Sequence, residues 1–149
     1  MDHPKDKGDR TTLAVIMALR ECGYDVLVPF GENTRYDLAI HDGESFSRVQ
    51  CKTGRLRNGA VLFAVCSCYG HHMRPGEARR DYRGQIEYFG VHCLETERVY
   101  LVPIEDLDVR TTAALRVDPA RNAQRLRTRP AADYEVGRVT VSPVIKAGV

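Results

Sequence analysis

YDLAIHDGESFSRVQCKT, from Tyr36 to Thr53, reads as two short strands, Tyr36–His41 and Phe46–Thr53, joined by a tight connection. The Asp42-Gly43 pair at its centre is a hairpin signal, because both residues tolerate the positive φ that tight β-turns require. Side chains alternate faces along a strand, so Gln50 and Lys52 point the same way. With an even loop, Asp42 to Ser45, His41 pairs with Phe46 and Asp37 lies opposite Gln50. A two-residue loop shifts the pairing but keeps Asp37 on that face, whereas an odd loop with a bulge breaks the relation. In the even case a carboxylate, an amide and an ammonium converge on one patch of a rigid hairpin.

Upstream, Asp9, Thr11 and Thr12 are candidate N-caps for a helix running to about Cys22. Leu13, Ile16 and Met17, with Val15 and Leu19 beside them, predict its buried stripe, and Gly23 suits a left-handed C-terminal cap. Residues 1–8 read as a flexible leader ahead of one domain over 9–149. Asp25–Phe30 predicts a strand that Pro29 confines to a strand end or an edge, and Gly31–Thr34 a turn.

Downstream, Ala60–Cys66 is a further apolar strand, and periodicity is lost from Ser67 to Gln85. Ile86–Cys93 and Arg98–Pro103 read as a hairpin around Glu95-Thr96, followed by one helical turn over Ile104–Leu107. The tail predicts a strand at Ala114–Val117, a basic loop, a short helix near Ala131 and a last strand over Arg138–Val141. No repeat or linker divides the chain. The expected class is α/β, with a central mixed, mostly antiparallel sheet flanked by helices.

At 149 residues, 43% hydrophobic and 28% charged, the chain has the balance of a globular domain. It has no apolar run near the roughly 20 residues of a membrane span, and its polar start is unlike a secretory signal, so a cytoplasmic protein with no membrane partner is expected. Five cysteines, Cys22, Cys51, Cys66, Cys68 and Cys93, scattered through apolar stretches, do not form a disulfide framework; most read as small core residues. The net charge of +2 hides segregation. Arginines cluster at 48–57, 74–83 and 116–129, and acids gather at Glu95, Glu97, Glu105, Asp106 and Asp108. That distribution fits a phosphate-binding surface or a solvated charged face.

The trio Asp37, Gln50 and Lys52 has a chemical logic. Phosphodiester hydrolysis needs a hard cation to polarise the phosphate and activate a water. Asp37 supplies the anionic oxygen that Mg²⁺ prefers and Gln50 a neutral carbonyl oxygen. Lys52 can orient the attacking water or stabilise the transition state. By spacing alone the same residues also suit an ordinary Asp–Lys pair across a hairpin.

GENTRYDLAI (Gly31–Ile40) and RVQCKTGRLRNG (Arg48–Gly59) together resemble the PD-(D/E)XK nuclease superfamily. They are most similar to its branch of group I intron-encoded homing endonucleases from cyanobacteria, in which glutamine replaces the second metal-binding carboxylate. Gln50-Cys51-Lys52 matches that Q-x-K variant, and Asp37 matches the aspartate of the first motif. IEYFGVHCLETERVYLVPIED (Ile86–Asp106) resembles the family's final hairpin, and the likeness runs from Lys7 to about Glu135. It implies a restriction-endonuclease-like core and a Mg²⁺-dependent endonuclease, with Mn²⁺ substituting, acting on double-stranded DNA. Asp37, Gln50 and Lys52 are then catalytic, with Asp37 and Gln50 holding the metal. The chain departs from the pattern on the first helix, where Thr12 stands at the position of a glutamate that often helps to hold metal. Asp9 and Glu21 are the candidate substitutes.

The DNA-binding set expected around this site is Arg55, Arg57, His71, His72, Arg74, Arg79, Arg80, Arg83, Arg121, Asn122 and Gln124. The arginines suit phosphates, and Asn122 and Gln124 suit adenine edges. Cys66-x-Cys68 with His71-His72 departs from structural zinc spacing. Ser67 with either histidine lacks a nucleophile elbow, and Glu32 reads as a solvated turn acid. One active site per chain predicts a homodimer or higher homo-oligomer for cutting both strands. The alternatives are a DNA-binding module of the same fold that has lost catalysis, and a junction- or flap-specific repair nuclease.

Overall fold

The computed structural model describes residues 4–31, 33–67, 80–118 and 129–141. One helix, α1 (Pro4–Glu21), precedes strands β1 (Asp25–Leu27), β2 (Leu38–His41), β3 (Phe46–Arg57), β4 (Ala60–Ala64) and β5 (Cys66–Ser67). Then come β6 (Arg80–Asp81), β7 (Tyr88–Cys93), β8 (Arg98–Pro103), β9 (Thr112–Arg116), β10 (Arg129–Pro130) and β11 (Glu135–Arg138). Single 3-10 turns occupy Ile104–Asp106 and Ala131–Asp133. Among the described residues nine strands form one sheet, in the order β10-β9-β4-β3-β7-β8-β11, with β1 and β2 branching from β3. Its pairings are antiparallel except β3–β7 and β9–β10, a mixed and mostly antiparallel α/β arrangement.

The hairpin takes the even-loop register: His41 pairs with Phe46 and Leu38 with Val49. Asp42 Oδ1 accepts the amides of Glu44 and Ser45, and Gly43 takes φ 103°. β3 runs past the expected end at Thr53 to Arg57 and turns at Asn58-Gly59, both at positive φ, into β4. This long strand is shared. β7 lies along one edge from Val49 to Gly54, and the other edge carries first β2, over Phe46–Val49, and then β4, over Arg55–Arg57. Between them that edge is open.

Helix α1 starts at Pro4, ahead of the expected caps, so residues 4–8 are helical where a leader was expected. Proline is tolerated in a first turn, whose amides have no intrahelical acceptor, and Asp6 complements the helix dipole there. The buried face is also rotated from the expected stripe. Ala14, Val15, Ala18 and Leu19 are buried, whereas Leu13 and Met17 are exposed. Small residues set this seam: a Cβ on Gly90 of β7 would meet Val15 Cγ1 at 2.7 Å, and one on Gly137 of β11 would meet Ala18 Cβ at 3.1 Å. Close approach at these glycines gives the helix more dispersion contact than its larger apolar side chains would allow.

Two cores result. Under α1 lie Leu38, Ile40, Val49, Cys51, Val99 and Leu101. On the other face the sheet curls so that Phe63 and Leu115 pack with Phe89, Val91, Tyr100 and Val102. The Phe63 and Phe89 rings are 5.7 Å apart. Among the described residues α1 is the one α-helix flanking the sheet. β1 ends at Leu27, two residues before Pro29, and the tail strands fall at Thr112–Arg116 and Glu135–Arg138, each displaced from its expected span.

Candidate active site

Cys51, Val49 and Thr53 face α1: Val49 and Cys51 lie in the core beneath it, and the Thr53 hydroxyl is 2.7 Å from that of Thr11. By alternation Gln50 and Lys52 project from the opposite face, where their partners on β7 are Phe89 and Val91. Both are half-buried, and Lys52 lies against Tyr82 of the second core.

Asp37 stands at the open edge of β3. Leu38 is the first residue of β2, and the Asp37 amide donates to the Val49 carbonyl at 2.9 Å. The Asp37 side chain then takes over from the strand: Oδ2 accepts the amide of Cys51 at 2.9 Å. The carboxylate therefore lies beside the β3 backbone between Gln50 and Lys52. Burial pushes the Asp37 carboxyl above the usual carboxylate range; the Cys51 amide and the Lys52 charge pull it down, and Asp9 pushes it up again. The same burial, reinforced by Asp37, pushes the Cys51 thiol up, so Cys51 stays a neutral core thiol. Asp37 Oδ1 and the Gln50 side-chain amide have no hydrogen-bond partner among the described residues.

Those two open oxygens and the destabilised carboxylate fit a divalent cation. A half-buried carboxylate whose burial outweighs its hydrogen bond and neighbouring positive charge gains from a cation beside it. The described residues contain no cluster of three His, Cys, Asp or Glu side chains, so the donor set is small. Mg²⁺ tolerates that, because it keeps most of its water ligands.

Lys52 Nζ lies 3.5 Å from the Cys66 carbonyl and 3.4 Å from the Tyr82 hydroxyl, and 5.0 Å from the Tyr82 ring centroid. Arg35 covers the same ring, with its guanidinium carbon 4.0 Å from the centroid. Arg35 also donates to Gln85 Oε1 at 2.6 Å, to Ser67 Oγ at 2.7 Å and to the Asp81 carbonyl at 3.2 Å. Sequence reasoning missed Arg35, Tyr82 and Gln85 as site residues. Tyr82 sits in the aperiodic stretch, and its place beside Lys52 depends on the long-range β5–β6 pairing of Cys66 with Asp81.

On α1, the Thr12 hydroxyl donates to the Gly8 carbonyl at 3.1 Å, so its proton is spent within the helix. The helix position expected to carry glutamate thus lies near Cys51, on the α1 side of β3, while Asp9, one turn earlier, acts electrostatically on Asp37. Glu21 is the last residue of α1, at the end away from Thr12.

Arg55 and Arg57 are exposed near the β3–β4 turn, but alternation sets them on the face of Cys51 and Thr53, across the sheet from Lys52. Arg83 is tied to the protein, donating to the Leu107 carbonyl and pairing with Asp81 at 3.4 Å. Arg80 belongs to β6, but its side chain is outside the described residues, as are Glu32, Cys68, His71, His72, Arg74, Arg79, Arg121, Asn122 and Gln124. Cys66 is buried in β5.

Comparison with solved structures finds a bacterial homing endonuclease, I-Ssp6803I, with a TM-score of 0.69 at 22% identity, covering 90% of this chain and 89% of that one. At that identity the likeness is one of fold, and it shows the restriction-endonuclease-like architecture. No curated protein matches significantly. The PD-(D/E)XK endonuclease family model matches residues 2–137, nearly the whole of the described sheet and helix. The chain belongs to the PD-(D/E)XK endonuclease family.

Proposed function

We propose that this nuclease is a divalent-metal-dependent endonuclease that hydrolyses phosphodiester bonds of duplex DNA at Asp37, Gln50 and Lys52. The observation that carries the reading is the 2.9 Å bond from the Cys51 amide to Asp37 Oδ2, which fixes the carboxylate at the open edge of β3 with its other oxygen unbonded among the described residues. PD-(D/E)XK nucleases generally use divalent metals. Asp37 Oδ1 and the Gln50 amide oxygen would hold Mg²⁺, or Mn²⁺ in its place. When bound, the ion supplies Lewis-acid polarisation of the phosphate and a more acidic water.

The chain's own residues do the rest. Lys52 places an ammonium beside the scissile phosphate, where it stabilises charge developing on the phosphoryl oxygens. The Cys51 amide holds Asp37 against rotation. A DNA backbone crossing the open edge of β3 meets Asp37 at the edge and Lys52 on one face. On the other face Arg55 and Arg57 grip neighbouring phosphates, in contacts that weaken with salt. With one site per chain, a symmetric dimer or higher assembly cuts both strands.

The test is a cleavage assay on a randomised duplex library, with branched and flap substrates beside it, in Mg²⁺ and in Mn²⁺. Linear duplexes are cut by the wild type, and Lys52→Ala lowers the rate by about a hundredfold or more. A preference for branched substrates turns the reading to a structure-specific nuclease. The second reading, a DNA-binding module without catalysis, is favoured by one observation: Thr12 spends its hydroxyl on the Gly8 carbonyl where a metal-holding acid is expected. Binding without cleavage by the wild type in either metal establishes that reading instead.

A further inference from the structure

We infer that Tyr82 is a positioning residue for Lys52, and that Arg35 holds Tyr82 in place for that purpose. The inference rests on the endonuclease reading and deepens it.

A lysine ammonium is a compact charge on a flexible four-carbon stem, so its usefulness depends on what fixes it. It has three N–H donors. In this protein two acceptors flank Nζ, the Cys66 carbonyl at 3.5 Å and the Tyr82 hydroxyl at 3.4 Å. Both lie on the side of β3 that carries the second core. With two donors directed there, the third is left to face the open edge where Asp37 stands. The Tyr82 ring adds a second constraint, since its π-face attracts the ammonium 5.0 Å from the centroid.

Tyr82 is itself rigid. It is 3% exposed and meets Phe89 edge-on, with centroids 5.7 Å apart and planes at 88°. Phe89 is the β7 partner of Gln50, so the ring that touches Lys52 is braced by the strand position beside the other candidate ligand. Arg35 closes the arrangement. Its guanidinium stacks on Tyr82 and bonds Ser67, Asp81 and Gln85, which clamps both ends of the segment carrying the tyrosine to the residue two places before Asp37. The acid and the amine of the site are thereby held by one connected set of contacts. A structural role alone explains the burial of the ring; it does not explain why the hydroxyl of a core tyrosine is turned to the lysine of the site.

Tyr82→Phe keeps the ring and deletes only the hydroxyl. Under saturating metal, kcat falls about tenfold while KM, and DNA affinity measured in Ca²⁺, stay within about twofold. In a Lys52→Gln background, followed under single-turnover conditions with excess enzyme, Tyr82→Phe has no further effect, because the residue it orients is gone. A readout independent of cleavage is the Cε resonance of Lys52 in protein labelled with [ε-¹³C]lysine, assigned with Lys52→Arg. It is sharp and shifted from the solvent-exposed lysines in the wild type, and moves toward them in Tyr82→Phe. Equal kcat in wild type and Tyr82→Phe, equal losses in both backgrounds, or an unmoved Lys52 resonance overturns the inference while leaving the endonuclease reading intact. A wild type that cuts nothing overturns both.

Discussion

The carboxylate of Asp37 accepts the backbone amide of Cys51 at 2.9 Å, continuing along β3 a ladder that the backbone of β2 abandons after Leu38. A strand edge left open inside a sheet exposes unpaired amides, and these are expensive to desolvate unless a side chain answers them. Here the answering group is an acid, so the repair of a broken ladder also delivers a negative charge between Gln50 and Lys52.

That charge is held at a cost, because burial raises the Asp37 carboxyl above its usual value of 3.8. A raised carboxyl stabilises the fold when protonated, below its unfolded pKa, and loses that contribution as pH rises through the folded value. Without metal at neutral pH, Asp37→Asn should therefore be at least as stable as the wild type, with Tm higher by on the order of a few degrees. The advantage should vanish by about pH 3.5. Mg²⁺ should raise the Tm of the wild type and leave Asp37→Asn unmoved. Calorimetric scans across pH, with and without metal, check both.

Gly90 lets α1 close on β7. An added Cβ would sit 2.7 Å from Val15 Cγ1 and 3.1 Å from Val49 Cγ1. Gly90→Ala should cost about 1–3 kcal/mol in urea unfolding, the range of an overpacked core. Because Val49 accepts the Asp37 amide, the shift should also lower metal affinity, whereas a change at exposed Leu13 should alter neither.

His92 is almost fully buried in β7, with Nε2 2.8 Å from the Val139 carbonyl and Nδ1 without a partner among the described residues. The acceptor fixes the proton on Nε2. Nitrogen-15 spectra of the neutral ring should show that single tautomer, and His92→Ala should cost about 2–3 kcal/mol, from the cavity and the orphaned carbonyl together. A mixture of tautomers, or a loss well under 1 kcal/mol, contradicts this.

Glu87 ties the start of β7 to β3: it accepts the Arg48 amide at 2.7 Å and pairs with the Arg48 guanidinium at 2.6 Å. The Arg48 hydrogen bonds hold its carboxyl below 4.5 against a smaller opposing effect of burial. A lowered carboxyl contributes stability above its unfolded pKa and loses it as pH falls through the folded one. Glu87→Gln should cost about 0.5–1 kcal/mol at neutral pH, since both side chains are 40% exposed and solvent screens the pair. The difference should disappear in acid.

The hairpin was legible because Asp42-Gly43 and strict alternation fix its register locally, and the family likeness followed from the same residues. The extension of β3 to Arg57 was equally written in Leu56 between two arginines and in Asn58-Gly59, a turn signal as plain as the first. Other features depend on tertiary partners. Which face α1 buries was decided by Gly90 and Gly137, far along the chain, and not by the helix's own apolar count. That Asp37 reaches Cys51 through its side chain follows from where β2 stops. Tyr82 meets Lys52 only because Cys66 pairs with Asp81. Arg55 and Arg57 were expected around the site because they follow Lys52 closely in the chain, whereas period-two alternation sets them on the opposite face.

The proposed convergence of Asp37 and Gln50 on one cation is tested most directly by paramagnetic relaxation from Mn²⁺ in ¹⁵N-labelled protein. Substoichiometric Mn²⁺ should broaden the Cys51 backbone amide and the Gln50 side-chain amide before any other resonance, with Mg²⁺ in excess reversing the effect and Asp37→Asn abolishing it. Broadening centred elsewhere, or unchanged by Asp37→Asn, would contradict a metal at the open edge of β3.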